Sequence, residues 1–218
     1  MIKYIIFDVS GTLLGKPTLY TSIKKVVFNF GYDVSLTEIK QKHKLLSEVI
    51  HFPDRTDASF YQKFNSELLY LLGIIPSEEI VSSIFKNCTY LPWEKYEDTN
   101  VLKQLNLPLG IVSNFNNTLK EKLEHFFGDV FQDVFVSEEL GVSKPNIQFY
   151  KKALDKISYR ANEILYIGDS IKLDLEPAQK IGFNTLIIDR DNFYPKSKNI
   201  ISNLGDILFS LDKLNKVE

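Results

Sequence analysis

Cysteine is all but absent. Cys88 is the single one in 218 residues, so no internal disulfide can form, and no His or Cys partners stand around it at metal-ligand spacing. It reads as a small hydrophobe in a reducing compartment, which suits a cytoplasmic protein. The three histidines, His43, His51 and His125, are scattered and share no ligand spacing. Basic blocks are missing too: the net charge is −2, which argues against nucleic acid as a partner. No stretch reaches the roughly 18 apolar residues that would span a membrane. The N-terminal apolar run is too short for a signal peptide and is interrupted by Asp8. Internal repeats and low-complexity tracts are also lacking.

What is present describes a globular chain with 44% apolar and 25% charged residues, long enough for one core plus an insert. The run Tyr4-Ile5-Ile6-Phe7 is short and β-rich, as in a buried strand, and Asp8 follows it directly. Gly11 then breaks the run. After Leu14 the apolar spacing turns helical. Leu19, Ile23, Val26, Val27 and Phe30 form one stripe, stopped by Gly31. Ile39, Leu45, Leu46, Val49 and Ile50 form a second, ended by Pro53; Phe60, Phe64, Leu68, Leu71 and Leu72 form a third. Ile80, Val81, Ile84 and Phe85 form a fourth, behind the cap residue Ser77. Four amphipathic helices without an intervening strand predict a small bundle.

From about residue 91 the period changes. A short helix with Val101, Leu102 and Leu105 precedes a strand over 107–112, with Ser113-Asn114 at its end. Further strands are predicted at Val134–Val136, Ile164–Ile167 and Asn184–Ile188, with helices between them. One helix should run from behind Asp169 to Ile181, with Pro177 tolerated only in its first turn. A strand remnant and a closing helix end the chain. Strands alternating with helices imply a parallel sheet covered on both faces, into which the helical block is inserted.

Asp8, Ser113 and Asp169 with Asp174 fall just behind apolar strands, and Lys144 falls in a loop before a helix. In a parallel sheet such strand ends meet at one edge, where open α/β sheets bind ligands. Three carboxylates and a lysine gathered there suit a hard cation and an anionic substrate.

These residues stand in four motifs: Asp8-Val9-Ser10-Gly11-Thr12, Ser113-Asn114, Ser143-Lys144-Pro145 and Gly168-Asp169-Ser170 followed by Asp174. In that order they resemble the motifs of the haloacid dehalogenase-like (HAD) hydrolases. The resemblance implies a doubly wound, Rossmann-like α/β core over 1–15 and 91–218, with a helical cap over 16–90. It implies Mg²⁺ held by Asp8, Asp169 and the main-chain carbonyl of Ser10. Asp8 would be the nucleophile, Ser113 and Lys144 would act on the transferring group, and Asp174 would orient Lys144 or a metal-bound water. Ser10, Gly11, Thr12 and Asn114 would line the substrate pocket. The implied substrate is a small phosphorylated molecule, and the implied state a monomer or homodimer.

Ser10 departs from the phosphatase pattern, Asp-x-Asp-Gly-Thr, whose second Asp gives a proton to the leaving group. A serine hydroxyl is too weakly acidic for that exchange, and positioned acid–base catalysis is typically worth about 10²–10⁴-fold. Three alternatives therefore stand beside a phosphatase. Dehalogenating members also lack that Asp, but generally lack an acidic metal ligand such as Asp169 and use an arginine, of which the insert offers only Arg55. A phosphonatase would need a Schiff-base lysine, for which Lys24, Lys25, Lys42 and Lys44 are available. A weakly active protein kept for binding is the third.

Overall fold

Tyr4–Phe7 (β1) is buried along its whole length and lies in the middle of the main sheet, although it comes first in the chain. The computed structural model describes residues 1–50 and 57–215. His51, Pro53 and Arg55 lie outside the described residues. Two compact units make up the chain: residues 1–15 with 95–218, and residues 16–94.

In chain order, a turn after β1 leads to the short strand β2 (Leu14–Gly15). The second unit then supplies α1 (Leu19–Asn29), α2 (Leu36–Val49), α3 (Ala58–Leu71) and α4 (Glu78–Cys88). Capping explains three of these helix starts. Ser35 Oγ accepts from the Glu38 amide at 3.1 Å, Asp57 Oδ1 from Phe60 at 2.8 Å, and Ser77 Oγ from Ile80 at 3.4 Å. Gly31 ends the first with φ +89°, a conformation that costs glycine nothing. The four inward stripes meet in one apolar core that includes Val27, Ile39, Leu46, Phe64, Leu68 and Ile84. Cys88 is half-buried at its edge, and burial pushes its thiol up to about 11.

The other unit continues with β3 (Glu94–Lys95), a 3₁₀ helix over Glu97–Gln104, β4 (Leu109–Ser113), α5 (Leu119–Phe127) and β5 (Asp133–Val136). Next come α6 (Ser137–Leu140), α7 (Ile147–Leu154), β6 (Ile164–Gly168), α8 (Glu176–Lys180), β7 (Asn184–Ile188), β8 (Ile200–Ile201) and α9 (Asp206–Asn215). Among the described residues the main sheet has six strands in the order β5-β4-β1-β6-β7-β8, all parallel. Phe7 lies opposite Ile111 on one side and Ile167 on the other, which aligns the ends of β4, β1 and β6. Fully buried strands explain the unbroken apolar runs.

One predicted helix is corrected. The segment behind Asp169 is a π turn, Ile171–Leu175, and α8 starts only at Glu176, with Pro177 in its first turn. A π turn adds one residue per turn and rotates the side chains beyond it. No described helix is long and apolar enough to cross a membrane.

Candidate active site

The strand register builds the site. Asp8 follows β1, Ser113 is the last residue of β4, and Asp169 follows β6, so three neighbouring strands deliver three polar side chains to one edge. Asp8 is buried, and its amide donates to the Ile167 carbonyl at 2.8 Å, which extends the ladder one residue past the strand. Ser113 Oγ donates to Asp8 Oδ1 at 3.1 Å. Lys144 enters from the loop before α7 and is 2% exposed. Its Nζ donates to Asp8 Oδ1 and to Asp174 Oδ1, each at 2.7 Å. One ammonium thus bridges two buried carboxylates.

Asp174 is saturated. Its Oδ1 also accepts from the Tyr166 hydroxyl at 2.8 Å, and its Oδ2 accepts from the amides of Asp169 at 3.2 Å and Ser170 at 3.0 Å. Those contacts and Lys144 use the acceptor directions of a carboxylate. The π turn brings Asp174 so close to the end of β6 that a Cβ on Gly168 would lie 2.2 Å from its Cγ. Gly11, at φ +83°, backs the same site: a Cβ there would lie 2.3 Å from Asp169 Oδ2. Both glycines are required by close approach.

The electrostatics leave room for a cation. Asp8, Asp169 and Asp174 offer carboxylate oxygens within 4.8 Å of one another, against the single ammonium of Lys144. Burial pushes the Asp8 carboxyl up to about 6; Lys144 opposes that rise, and Asp174 and Asp169 add to it. Burial works against charge on Lys144, but Asp174 and Asp8 outweigh it and hold the ammonium above its ordinary value. Burial, with Asp174 beside it, keeps the Tyr166 hydroxyl protonated well above the usual range. Excess negative charge on oxygen donors fits a hard divalent cation. With Asp174 committed elsewhere, Asp8 and Asp169 are the side chains suited to hold it.

Of the residues singled out by sequence, Asp8, Ser113, Lys144, Asp169 and Asp174 come together. Ser10 is exposed on the turn beyond Asp8. Two others have surroundings that the sequence did not foreshadow. Asn114 donates through Nδ2 to the Lys144 carbonyl at 3.1 Å and accepts through Oδ1 from the Lys144 amide at 2.7 Å. Its side chain therefore holds the lysine's backbone. Thr12 is fully buried, with no partner for its hydroxyl among the described residues. Tyr166 was missed, because a tyrosine inside an apolar strand run reads as core.

Comparison with known proteins agrees with this architecture. Residues 5–188 match the family model described as haloacid dehalogenase-like hydrolase. A glyceraldehyde 3-phosphate phosphatase of Methanocaldococcus jannaschii is 26% identical over 98% of this chain and 100% of its own length. Two solved structures share the fold. The HAD-hydrolase YfnB from Bacillus subtilis, bound to magnesium, is 19% identical with a TM-score of 0.65, covering 97% of this chain and 99% of that one. An L-2-haloacid dehalogenase from Xanthobacter autotrophicus is 19% identical with a TM-score of 0.62, covering 97% and 99%. At those identities the structural likeness speaks for the fold alone. The family match covers the sheet from β1 to β7 and every residue of the buried cluster, and on it this chain belongs to the haloacid dehalogenase-like hydrolases.

Proposed function

We propose that the chain is a Mg²⁺-dependent phosphohydrolase of a small phosphorylated metabolite, working through an aspartyl-phosphate at Asp8. The observation that carries this reading is the buried bridge of Lys144 between Asp8 and Asp174, set beside Asp169. The magnesium ion, held by Asp8, Asp169 and the main-chain carbonyl of Ser10, would offset charge on the phosphoryl oxygens. Asp8 attacks phosphorus: a carboxylate oxygen–phosphorus bond forms, and the bond from phosphorus to the leaving oxygen breaks. Ser113 and Lys144 hydrogen-bond the transferring oxygens, and Asp174 with Asn114 keeps Lys144 in place. Water then attacks the acyl phosphate, releasing inorganic phosphate and restoring Asp8. Ser10 does not protonate the leaving group, so that proton comes from solvent, or the leaving group departs without one. Residues 16–90 would form the cap domain, joined to the core through linkers near Gly15–Pro17 and Tyr90–Pro92.

The name of the Methanocaldococcus relative makes glyceraldehyde 3-phosphate the first substrate to try. Ser10 keeps a second reading in play, a 2-haloacid dehalogenase, since halide leaves without a proton. That chemistry calls for an arginine at the substrate, for which the insert offers Arg55, outside the described residues; Arg190 is itself hydrogen-bonded to Asp98, Gly11 and Thr12. Glyceraldehyde 3-phosphate, p-nitrophenyl phosphate and 2-chloropropionate should be assayed side by side, with Mg²⁺ and with EDTA. Phosphate release that EDTA abolishes supports the proposal, and halide release in EDTA supports the dehalogenase. Neither activity would leave a binding protein. Calorimetry offers a check without turnover: Asp169→Ala should lose Mg²⁺ binding, and undiminished binding would overturn the assignment.

A further inference from the structure

Arg190 stands two residues beyond β7, at the same end of the sheet as Asp8 and Ser113. Its Nε donates to Asp98 Oδ2 and its NH2 group to Asp98 Oδ1, both at 2.9 Å, a bidentate pair. NH1 donates to the Gly11 carbonyl at 2.9 Å, and NH2 to the Thr12 carbonyl at 2.8 Å. The guanidinium carbon lies 3.9 Å from the centroid of the Tyr96 ring. The anchors are themselves fixed. Asp98 Oδ2 accepts from the Leu204 amide at 3.1 Å, and the Tyr96 amide donates to the Leu13 carbonyl at 3.1 Å.

The turn these contacts hold is tight. The amides of Leu13 and Leu14 both donate to the Val9 carbonyl at 2.9 Å, and the Gly11 amide donates to Leu14 at 2.8 Å. That arrangement turns the carbonyls of Gly11 and Thr12 outward, where each needs a donor. A guanidinium fork meets two carbonyls and a carboxylate in one plane; a lysine cannot. Four of its five N–H groups are thereby engaged, which makes Arg190 a poor substrate ligand and a good brace.

We propose that Arg190 is a positioning residue for the Asp8 site: it sets the conformation of the 9–14 turn, and with it the seat of Gly11 against Asp169. It does so without touching the reacting atoms. Its consequence for turnover rests on the phosphohydrolase reading, whereas its hold on the turn does not.

Amide hydrogen exchange, read residue by residue on the full chain, tests the hold directly. Arg190→Met should speed exchange at Gly11, Leu13 and Leu14 by about tenfold or more, while Ile6, Phe7 and the helical unit stay within about twofold. Arg190→Lys should restore less than about half of the lost protection. Asp98→Asn, which keeps an acceptor for Leu204, should loosen the same amides to a smaller degree and serves if Arg190→Met does not fold. With p-nitrophenyl phosphate and Mg²⁺, kcat should fall about tenfold or more with KM nearly constant, as expected for lost positioning. Unchanged turn amides in both variants would overturn the inference, and so would loosening of β1 in step with the turn. An inactive wild type whose turn still loosens sinks the functional reading and keeps the brace. An active wild type whose variants match it in exchange and kcat does the reverse.

Discussion

Both units bury apolar side chains, but the sheet unit also buries a cluster of charged and polar ones. The helical unit fills its interior with Val27, Ile39, Leu68 and similar residues; among its described residues the buried polar side chain is Asn65, and the half-buried His43 packs between Tyr20 and Phe64. The sheet unit buries Asp8, Lys144, Asp174, Ser113 and Ser170 at the edge where the ends of β1, β4 and β6 meet. Apolar burial stabilises, at roughly 25 cal/mol per Å². Buried charge generally does not, because desolvation consumes most of the attraction between the ions. The contrast separates two jobs: one interior is built to be stable, and part of the other is kept polar for chemistry.

The largest expected effect tests that separation at its centre. Asp8→Asn should lower turnover by about 10⁴-fold or more, because the proposed nucleophile would be removed rather than tuned. Its melting temperature should stay within a few degrees of wild type, since Lys144 keeps Asp174 as partner. A large loss of stability with retained activity would break the comparison.

Next comes Ser10→Asp. Adding the missing acid at the exposed turn should raise hydrolysis of alkyl phosphates by up to about 10²–10⁴-fold, with much less gain on aryl phosphates. The wild type should already favour aryl over alkyl leaving groups. Equal rates on both, with chemistry limiting, would mean that another group supplies the proton.

The helical unit should respond the other way. Leu68→Ala, at a fully buried position, should cost about 2–5 kcal/mol in denaturant melts through lost burial and a cavity. Mg²⁺ affinity measured by calorimetry under native conditions should be unchanged. A parallel drop in affinity would show that the interiors are not independent.

The smallest effect is in pH, and its sign differs between the units. Burial, then Lys44, lowers the His43 pKa from 6.5 to about 4. The unfolded chain therefore takes up the proton first, and stability present above pH 6.5 is lost as pH falls towards 4, on the order of 3 kcal/mol. Asp8 has its pKa raised from 3.8 to about 6, so in metal-free protein its contribution is present below pH 4 and is lost as pH rises through 6. Denaturant melts between pH 4 and 7.5 should show His43→Phe removing the acid-side loss and Asp8→Asn the neutral-side one. An acid slope surviving in His43→Phe would place the titrating group elsewhere.

Much of this architecture was legible in the sequence, for a physical reason. Strands covered on both faces must be apolar throughout, so Tyr4–Phe7 and Ile164–Ile167 stand out, and a polar residue behind such a run marks a strand end. Asp8, Ser113 and Asp169 followed from that rule alone. The same rule marks Asp189 behind Asn184–Ile188, while Arg190, one residue further on, has no such local signal. Other features had no local signal. Whether the Asn114 amide turns to a pocket or to Lys144 depends on a loop thirty residues away. The segment Ile171–Leu175 carries ordinary helical residues, and its π turn reflects the closing of Asp174 onto Gly168. Tyr166 gains a polar role only once Asp174 has arrived.

The strand order also has a consequence in time. β1 is made before both of its neighbours, β4 and β6, which lie far downstream in the chain. At 5–20 residues per second, roughly a hundred residues separate β1 from β4, so the central strand waits on the order of 5–20 s for its first partner. The counter-ion of Asp8 arrives later still, 136 residues on, at Lys144. The intervening helices are contiguous and can pack as soon as they emerge. During synthesis the helical interior can therefore assemble before the polar cluster, which waits for Lys144 and Asp174.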